Sequence, residues 1–317
     1  MASAEAPVGA RLLLPFAPSA LGGLPEGWPA AVWDGTGRPP SGRVLETVEF
    51  FVVPYTFTTA ALPLLSRLPS LRVVQSLSAG VEDLVPRLPA GVTLCNAKGV
   101  HDASTAELAV ALVLASLRGI PDFVRAQDAQ RWSRGFRPAL ADRTVLILGY
   151  GAIGAAVEAR IAPFECVLAR VARRAREAPQ GPVHALEDLP FLLPQADVVV
   201  LTVPLNEATR GMVDADFLAR MKDGALLVNV ARGQVVNTAA LVHELRAGRV
   251  SAALDVTDPE PLPPGHPLWT APNTLITPHT AGITSAFHPR ALALVRAQLA
   301  RYTAGRPVAN VVVTGGG

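Results

Sequence analysis

Four side chains that could form an acid–base site follow apolar runs in the last third of the chain. Arg232 lies in VNVARG and Asp255 in ALDV, and these are followed by Glu260 in PEPLP and His279 in TPHTAG. A guanidinium binds a planar carboxylate through paired hydrogen bonds and keeps its charge at working pH. An imidazole beside a carboxylate can donate or accept a proton near neutral pH. The segments therefore predict an anion-binding guanidinium, a carboxylate and a proton-transferring imidazole.

A glycine-rich turn near the middle of the chain predicts a place to hold a hydride carrier. GYGAIG follows the strand-like run VLIL and opens an alanine-rich, helix-like stretch. Its glycines allow a tight turn, close approach of a pyrophosphate, and close packing of helix on strand, while the helix N-terminus offers N–H groups to phosphates. The motif alone is weak evidence, but both flanks fit it. The residues that we expect to bind a dinucleotide are Gly149, Gly151, Ala152, Ile153 and Gly154.

The residues after the next strand-like run bear on which dinucleotide is used. Ala172 stands where NAD-preferring folds usually place an acidic residue for the ribose hydroxyls, and Arg173 and Arg174 follow it. Without a carboxylate there is no repulsion against a 2′-phosphate, and a neighbouring guanidinium can pair with one. The alternative is a solvated basic loop. We predict a preference for NADP(H), with use of NAD(H) left open.

Composition limits the class of protein. The 317 residues are 50% hydrophobic and 17% charged, with a net charge of +2, so the chain can form two ordinary domains with large cores. Scattered basic residues do not resemble a nucleic-acid-binding surface. Neither a signal-peptide pattern nor an apolar stretch near the roughly 20 residues of a membrane span is present in the sequence. Cys95 and Cys166 lie in apolar runs, which favours buried free thiols over a disulfide or metal site. We expect a cytoplasmic protein without metal, membrane or nucleic-acid partners.

Strand-like and helix-like runs alternate along the chain, which predicts parallel, doubly wound sheets. A long helix should begin near Ser104, because Ser104 and Glu107 have the spacing of a capping box, and should end before Gly119. The candidate strands are 11–16, 31–34, 50–54, 71–76, 92–96, 144–148, 167–171, 198–203, 225–230, 251–255 and 274–277. The other candidate helices are 59–68, 152–162, 187–193, 214–220, 238–248 and 285–303.

The ordered segments resemble the D-isomer-specific 2-hydroxyacid dehydrogenases, which include glyoxylate/hydroxypyruvate reductases, phosphoglycerate dehydrogenases and D-lactate dehydrogenases. The resemblance starts at about residue 71 and is less distinct before it. It rests on SLSAGVEDL, STAELAVALVLASLRG, LGYGAIG, VPLNEATRGM, MKDGALLVNVARGQVVN, ALDVTDPEPLP and LITPHTAG. It implies an α/β protein with two Rossmann-like domains and parallel sheets. A cofactor domain of residues 99–282 is then inserted into a discontinuous substrate domain of residues 1–98 and 283–317.

The resemblance also implies a role for each reactive side chain. Arg232 matches the residue that binds the substrate carboxylate and polarises the carbonyl. His279 matches the acid/base, and Glu260 matches the carboxylate that orients it and raises its pKa. Asp255 matches a residue that hydrogen-bonds the nicotinamide carboxamide, which makes it a cofactor residue rather than a proton donor.

Further binding residues follow from the same resemblance. The backbone N–H groups of Ala79, Gly80 and Val81 match a turn that receives the substrate carboxylate. The remaining residues implied to bind the cofactor are Thr105, Val203, Pro204, Thr209, Val230, Ala231 and Gly282. Family members are usually dimers formed through the cofactor domain, so the apolar helix after Ser104 is a candidate contact, although core packing explains its sequence equally well.

These implications predict NAD(P)H-dependent reduction of a small 2-keto acid, such as glyoxylate or hydroxypyruvate, to the D-2-hydroxy acid, and the reverse. One alternative is another small-anion dehydrogenase of the family, acting on phosphoglycerate, phosphite or formate. Formate-type members carry Gln in place of the Glu, so Glu260 argues against that activity. Another alternative is a non-catalytic, NAD(H)-sensing protein like the corepressors of the family, which keep the same Arg, Glu and His. The identity of the acid depends mainly on about the first 60 residues, where the resemblance is weakest.

Overall fold

A computed structural model describes residues 9–56 and 58–314. Its contacts divide the chain into two units, Met1–His101 with Ser285–Gly317, and Asp102–Thr284. Each unit is built on its own sheet of mainly parallel strands with helices packed against it. The expected α/β fold is confirmed. The ends of the predicted substrate domain, residues 1–8 and 315–317, lie outside the described residues.

The first unit contains a six-stranded sheet in the order β14-β5-β4-β3-β1-β2, parallel except for β14 at one edge. Neighbouring side chains of a strand point to opposite faces, so Phe50 packs with Val295 and Leu299 of the C-terminal helix while Phe51 packs on the other face with Leu64. The strands are β1 Leu12–Leu14, β2 Ala30–Val32, β3 Phe50–Val52, β4 Val73–Gln75, β5 Thr93–Cys95 and β14 Val311–Thr314. The helices are α1 Arg43–Glu46, α2 Thr58–Leu65 and α9 Phe287–Thr303.

The second unit contains an eight-stranded sheet in the order β13-β12-β11-β10-β6-β7-β9-β8, parallel except for β8. Strand order reverses beside β6, which pairs with β10 on one side and β7 on the other. Ligands of open α/β sheets bind at such a switch point, beyond the carboxyl ends of the strands. The strands are β6 Thr144–Leu148, β7 Val167–Val171, β8 Arg176–Ala178, β9 Gly181–His184, β10 Val198–Leu201, β11 Leu226–Asn229, β12 Ser251–Leu254 and β13 Thr274–Ile276. The helices are α3 Asp102–Leu117, α4 Ile120–Asp128, α5 Ala152–Ile161, α6 Leu189–Leu192, α7 Ala215–Arg220 and α8 Thr238–Arg246.

The predicted capping box at Ser104 was wrong. Helix α3 begins at Asp102, so Ser104 lies inside its first turn. The Ser104 hydroxyl lies 2.9 Å from the Thr284 hydroxyl and is used in that tertiary contact. A helix end was correctly expected before Gly119, but a second helix, α4, starts directly after it. Gly119 takes a left-handed conformation with φ 65°, which a glycine adopts without steric cost, and the two helices bend by 65° there.

The stretch predicted as a helix at 187–193 is helical but is not one continuous α-helix: the short helix α6 lies between two 3-10 turns, Leu186–Asp188 and Leu193–Gln195. Pro190 and Pro194 lie at the starts of two of these elements. Proline has no backbone N–H to continue a helix, which explains the interruption. The two antiparallel strands, β8 and β14, were missed because they are short edge strands whose pairing depends on a neighbour.

Helices α3 and α4 are adjacent in the chain and form a bent pair. Within residues 9–56 and 58–314, no single helix is long and apolar enough to cross a membrane; only this bent pair together reaches the length. In the second unit, Ala106, Ala109 and Val113 of α3 are completely buried in a core cluster with Val145 and Ile147 of β6. Core packing therefore accounts for much of the apolar character of α3.

Candidate active site

The reactive side chains of the second unit come after the carboxyl ends of neighbouring parallel strands. Arg232 follows β11, Asp255 directly follows β12, and His279 follows β13. Glu260 lies in the loop between β12 and β13. Parallel pairing aligns these strand ends, so residues separated by many positions in the sequence reach the same edge of the sheet.

His279 and Glu260 form a hydrogen-bonded pair. Nδ1 of His279 lies 2.5 Å from Oε1 of Glu260, and the two side chains are 47% and 39% exposed. The hydrogen bond that His279 donates to Glu260 raises the pKa of His279, against burial and the nearby Arg232 charge, which lower it. Burial opposes ionisation of Glu260, but its hydrogen bond to His279 leaves the Glu260 pKa below its ordinary value. The pair therefore favours imidazolium with carboxylate, and Nε2 is left as the nitrogen that can exchange a proton with a substrate.

The backbone at His279 has a left-handed conformation with φ 51°. Its N–H donates to the carbonyl oxygens of Asp255 at 2.7 Å and Thr277 at 3.0 Å. The Asp255 carboxylate accepts from the Thr277 hydroxyl at 2.6 Å and from the N–H groups of Thr280 and Ala281 at 2.9 and 3.1 Å. The buried Asp255 side chain thus holds the segment that carries His279.

The loop of Arg232 is held by Asn229, a residue that the sequence analysis did not single out. Asn229 is 1% exposed at the end of β11. Its Oδ1 accepts from Ala231 N–H at 3.0 Å, and its Nδ2 donates to the Arg232 carbonyl at 2.9 Å. Arg232 itself donates from Nη1 to the Ala231 carbonyl at 2.7 Å. The sequence did contain a signal for this role. Asn229 is a single amide in an otherwise apolar strand, and a buried amide needs hydrogen-bond partners.

Gly233 brings two loops of the site into backbone contact. A Cβ atom at Gly233 would lie 1.8 Å from the carbonyl oxygen of Thr257, so only glycine fits. Thr257 in turn donates from its N–H to Oε2 of Glu260 at 3.4 Å and from its hydroxyl to the Pro259 carbonyl at 2.9 Å. The loop of Arg232 therefore packs directly on the loop of Glu260. This close approach was not predicted from the sequence, because it depends on the position of Thr257 in the folded chain.

The glycine turn has the shape expected for a dinucleotide loop. A Cβ at Gly149 would lie 2.5 Å from the backbone N of Val203, and one at Gly154 would lie 2.8 Å from the Gly149 carbonyl. At Gly151 the nearest such atom is 4.0 Å away. Gly149 and Gly154 therefore serve close packing, while Gly151, which precedes α5, leaves room for a ligand against the backbone. These residues fit a nicotinamide dinucleotide.

A hairpin of β8 and β9 adjoins the glycine turn. Arg176 donates to the carbonyl oxygen of Tyr150, and the Tyr150 hydroxyl donates to Oε1 of Gln180 at 3.3 Å. Arg173 and Arg174 are exposed on the connection that leads into this hairpin. These two arginines were predicted from the sequence, whereas the contact between Arg176 and Tyr150 was not, because it depends on the hairpin.

The other predicted cofactor residues all lie in the second unit. Thr105 is buried in α3, and the Thr209 hydroxyl donates to the Pro204 carbonyl at 2.6 Å. Those placed in turns after strand ends are Val203, Pro204, Val230, Ala231 and Gly282.

The predicted carboxylate-binding turn, Ala79, Gly80 and Val81, lies in the first unit between β4 and β5. The Ala79 carbonyl accepts from Nδ2 of Asn96 at 3.0 Å, and the Val81 carbonyl accepts from Leu84 N–H at 3.0 Å. These bonds brace the turn through its carbonyl oxygens.

Cys95 and Cys166 were predicted to be buried free thiols. Both cysteines are free thiols; Cys95 is buried, and Cys166 is only half-buried. Burial raises the pKa of the Cys95 thiol to about 11. No group of three or more His, Cys, Asp or Glu that could hold a metal ion occurs in the described part of the chain.

The chain is similar in sequence to known proteins. The family model described as D-isomer specific 2-hydroxyacid dehydrogenase, NAD binding domain, matches residues 110–281. The glyoxylate reductase of Aeropyrum pernix is 33% identical over 312 residues, which are 93% of this chain and 92% of that protein.

Solved structures are also similar. A D-isomer specific 2-hydroxyacid dehydrogenase from Xanthobacter autotrophicus, in complex with NADPH and MES, aligns with a TM-score of 0.79 at 33% identity over 97% of this chain and 99% of that one. An NADPH-dependent glyoxylate/hydroxypyruvate reductase from Sinorhizobium meliloti, in complex with NADP and sulfate, aligns with a TM-score of 0.82 at 28% identity over 96% and 98%.

Proposed function

The chain belongs to the D-isomer-specific 2-hydroxyacid dehydrogenase family, and we propose that it reduces a small 2-keto acid of the glyoxylate or hydroxypyruvate type to the D-2-hydroxy acid. As a member it is an NAD(P)-dependent oxidoreductase. The observation that carries the proposal is the His279–Glu260 pair at 2.5 Å. The pair favours a protonated His279 at a half-exposed position. Arg232 is close enough to lower the pKa of both partners.

The reaction divides among three side chains. A nicotinamide cofactor held at the turn of Gly149, Gly151 and Gly154 would supply the hydride for the carbonyl carbon. Arg232 binds the substrate carboxylate and polarises the carbonyl through its fixed positive charge. Nε2 of protonated His279 donates its proton to the carbonyl oxygen, which becomes the hydroxyl. Glu260 stabilises the imidazolium before transfer and keeps the ring oriented through Nδ1. In the oxidation direction neutral His279 takes the hydroxyl proton.

The second unit is proposed to bind the cofactor and the first to contribute to substrate binding. The open space at Gly151 supports a pyrophosphate position in the second unit. The turn of Ala79, Gly80 and Val81 remains the proposed binding site for the substrate carboxylate. Its side chains are small or aliphatic, so the backbone N–H groups would carry the binding.

NADP(H) is the proposed preferred cofactor. Exposed Arg173 and Arg174 follow β7, and Ala172 leaves the usual position of a ribose-binding carboxylate without negative charge. The similar proteins from Xanthobacter autotrophicus and Sinorhizobium meliloti were solved with NADPH or NADP, which supports the same preference here.

A panel of keto acids tests the proposed activity. NADPH oxidation should be measured with glyoxylate, hydroxypyruvate, pyruvate and 3-phosphohydroxypyruvate, with the product analysed on a chiral column. We expect turnover of glyoxylate and hydroxypyruvate, with the D isomer of glycerate formed from hydroxypyruvate; the glycolate formed from glyoxylate is achiral. Absence of turnover on every acid, with retained NADPH binding, would favour a dinucleotide sensor instead.

A homodimer formed through the second unit is also proposed. Residues 131–139 are exposed throughout, and Trp132 and Phe136 are 91% and 108% exposed. Nearby, α3, α4 and Phe164 line an open, mainly apolar groove of about 500 Å³. Exposed aromatic side chains beside an apolar groove are typical of an interface between copies.

Sedimentation equilibrium tests the dimer. We expect the wild type to sediment as a dimer and the double variant Trp132→Ser, Phe136→Ser to dissociate to monomer. A wild-type monomer at micromolar concentration would reject the proposal.

A further inference from the structure

Asp255 makes an unusual number of hydrogen bonds to one short segment. Its carboxylate accepts three, from Thr277 Oγ1, Thr280 N–H and Ala281 N–H, at 2.6, 2.9 and 3.1 Å. Its backbone carbonyl accepts a fourth, from His279 N–H, at 2.7 Å. Asp255 is 2% exposed, so these bonds are shielded from competition with water.

The three donors require an acceptor with two oxygens. Oδ1 accepts from Thr277 and Thr280, while Oδ2 accepts from Ala281. A carboxylate can accept at both oxygens, whereas an amide has one accepting oxygen and an NH2 group that only donates. An asparagine at this position would therefore bring a donor against a donor, whichever way the amide was turned.

The segment held by these bonds has a conformation that needs support. His279 has φ 51°, a region that side chains with a Cβ seldom adopt outside a stabilised turn. The bonds on both sides, at Thr277 and at Thr280 and Ala281, define the turn in which His279 lies. In that turn Nδ1 of the imidazole reaches Glu260 at 2.5 Å.

We propose that Asp255 is a positioning residue for His279, which holds residues 277–281 in the left-handed turn that brings the imidazole to Glu260 before a cofactor binds. This role is additional to the carboxamide contact that the family resemblance implies. Only the expected effect of this role on turnover rests on the proposed function. The charged groups that act on His279 are Glu260, Arg232 and Asp255 itself.

The test uses the cofactor-free protein, because a residue that serves only the cofactor would leave the free protein unchanged. Asp255→Asn, labelled with ¹⁵N at histidine, is compared with the wild type by NMR. The wild type should show a downfield Nδ1–H signal from the His279–Glu260 bond. We expect that signal to be lost in Asp255→Asn, with turnover lowered at least tenfold. An unchanged His279 signal in the cofactor-free variant overturns the proposal.

A second variant keeps the charge of Asp255. Thr277→Val removes one donor to the carboxylate and should weaken the same Nδ1–H signal and lower kcat severalfold with little change in the Kd of NADPH. It also provides the test if Asp255→Asn does not fold, in which case an unchanged signal in Thr277→Val overturns the proposal. The matched control is Thr274→Val, which removes a hydroxyl that bonds only the Pro272 carbonyl, at 3.1 Å, among the contacts described.

The control should leave the signal and turnover at wild-type values. The NMR result is independent of any substrate, so loss of the signal in an enzyme that reduced no keto acid would support the positioning role and reject the proposed activity.

Discussion

His279 and Glu260 meet through Nδ1 and Oε1 at 2.5 Å, although they lie on either side of β13. The pair raises the pKa of His279 and lowers that of Glu260. A proton held in this way is available to a substrate at neutral pH, because the imidazole is kept charged by its partner.

Replacing His279 by Ala should remove the proton donor and lower kcat by about 10²- to 10⁴-fold. Cofactor binding should change little, since the imidazole is assigned to the substrate carbonyl. Stopped-flow turnover and a fluorescence titration with NADPH measure the two effects. Wild-type kcat in this variant would exclude His279 as the acid.

Replacing Glu260 by Gln should shift the pH dependence. Glu260 raises the pKa of His279, so reduction, which needs the imidazolium, is retained at low pH and lost as pH rises through that raised pKa. Without the carboxylate the pKa should fall, and the loss of reduction should occur at lower pH. Oxidation needs the neutral imidazole and should gain activity at correspondingly lower pH. Unchanged kcat/KM profiles in both directions would exclude Glu260.

Replacing Arg232 by Ala should chiefly weaken keto-acid binding. Each charged hydrogen bond contributes about 1.5–3 kcal/mol, so loss of a bidentate contact should raise KM at least tenfold. Arg232→Lys is the comparison, because it keeps the charge but loses the paired geometry. It should show an intermediate KM, while the Kd of NADPH stays near the wild-type value in both variants.

Replacing Gly233 by Ala should separate the loops of Arg232 and Glu260. The new Cβ would overlap the Thr257 carbonyl at 1.8 Å, and such overpacking costs about 1–3 kcal/mol. We expect lower kcat and a lower Tm in calorimetry. Tm and kcat equal to those of the wild type would contradict the close approach.

Replacing Arg173 by Asp should shift cofactor choice toward NADH, because a carboxylate repels a 2′-phosphate and can bind the ribose hydroxyls. The ratio of kcat/KM for NADPH to that for NADH should fall at least tenfold. Arg296→Asp, an exposed substitution on α9 of the first unit, controls for the change in net charge. A higher kcat/KM with NADH already in the wild type would reject the NADP(H) preference.

Local sequence patterns were sufficient to predict many of the strands and loops of the second unit. Strands β6 and β7 have the bounds expected from their apolar runs, since continuous burial leaves a continuous signal in the sequence. The glycine turn and the loops of Arg232, Glu260 and His279 were placed correctly relative to strand ends because each motif includes its own strand and turn.

The amino-acid sequence by itself determined which reactive groups the chain carries, the α/β class, and the strand end that each group follows. Only the tertiary structure decided how the loops of the site are held against one another: Gly233 packs against Thr257, and Asp255 bonds across to the His279 turn. The same holds for Arg176, which reaches Tyr150 through a hairpin that the sequence did not reveal. These contacts join residues that are distant in the sequence, and contact between distant segments depends on the packing of the whole sheet rather than on local periodicity.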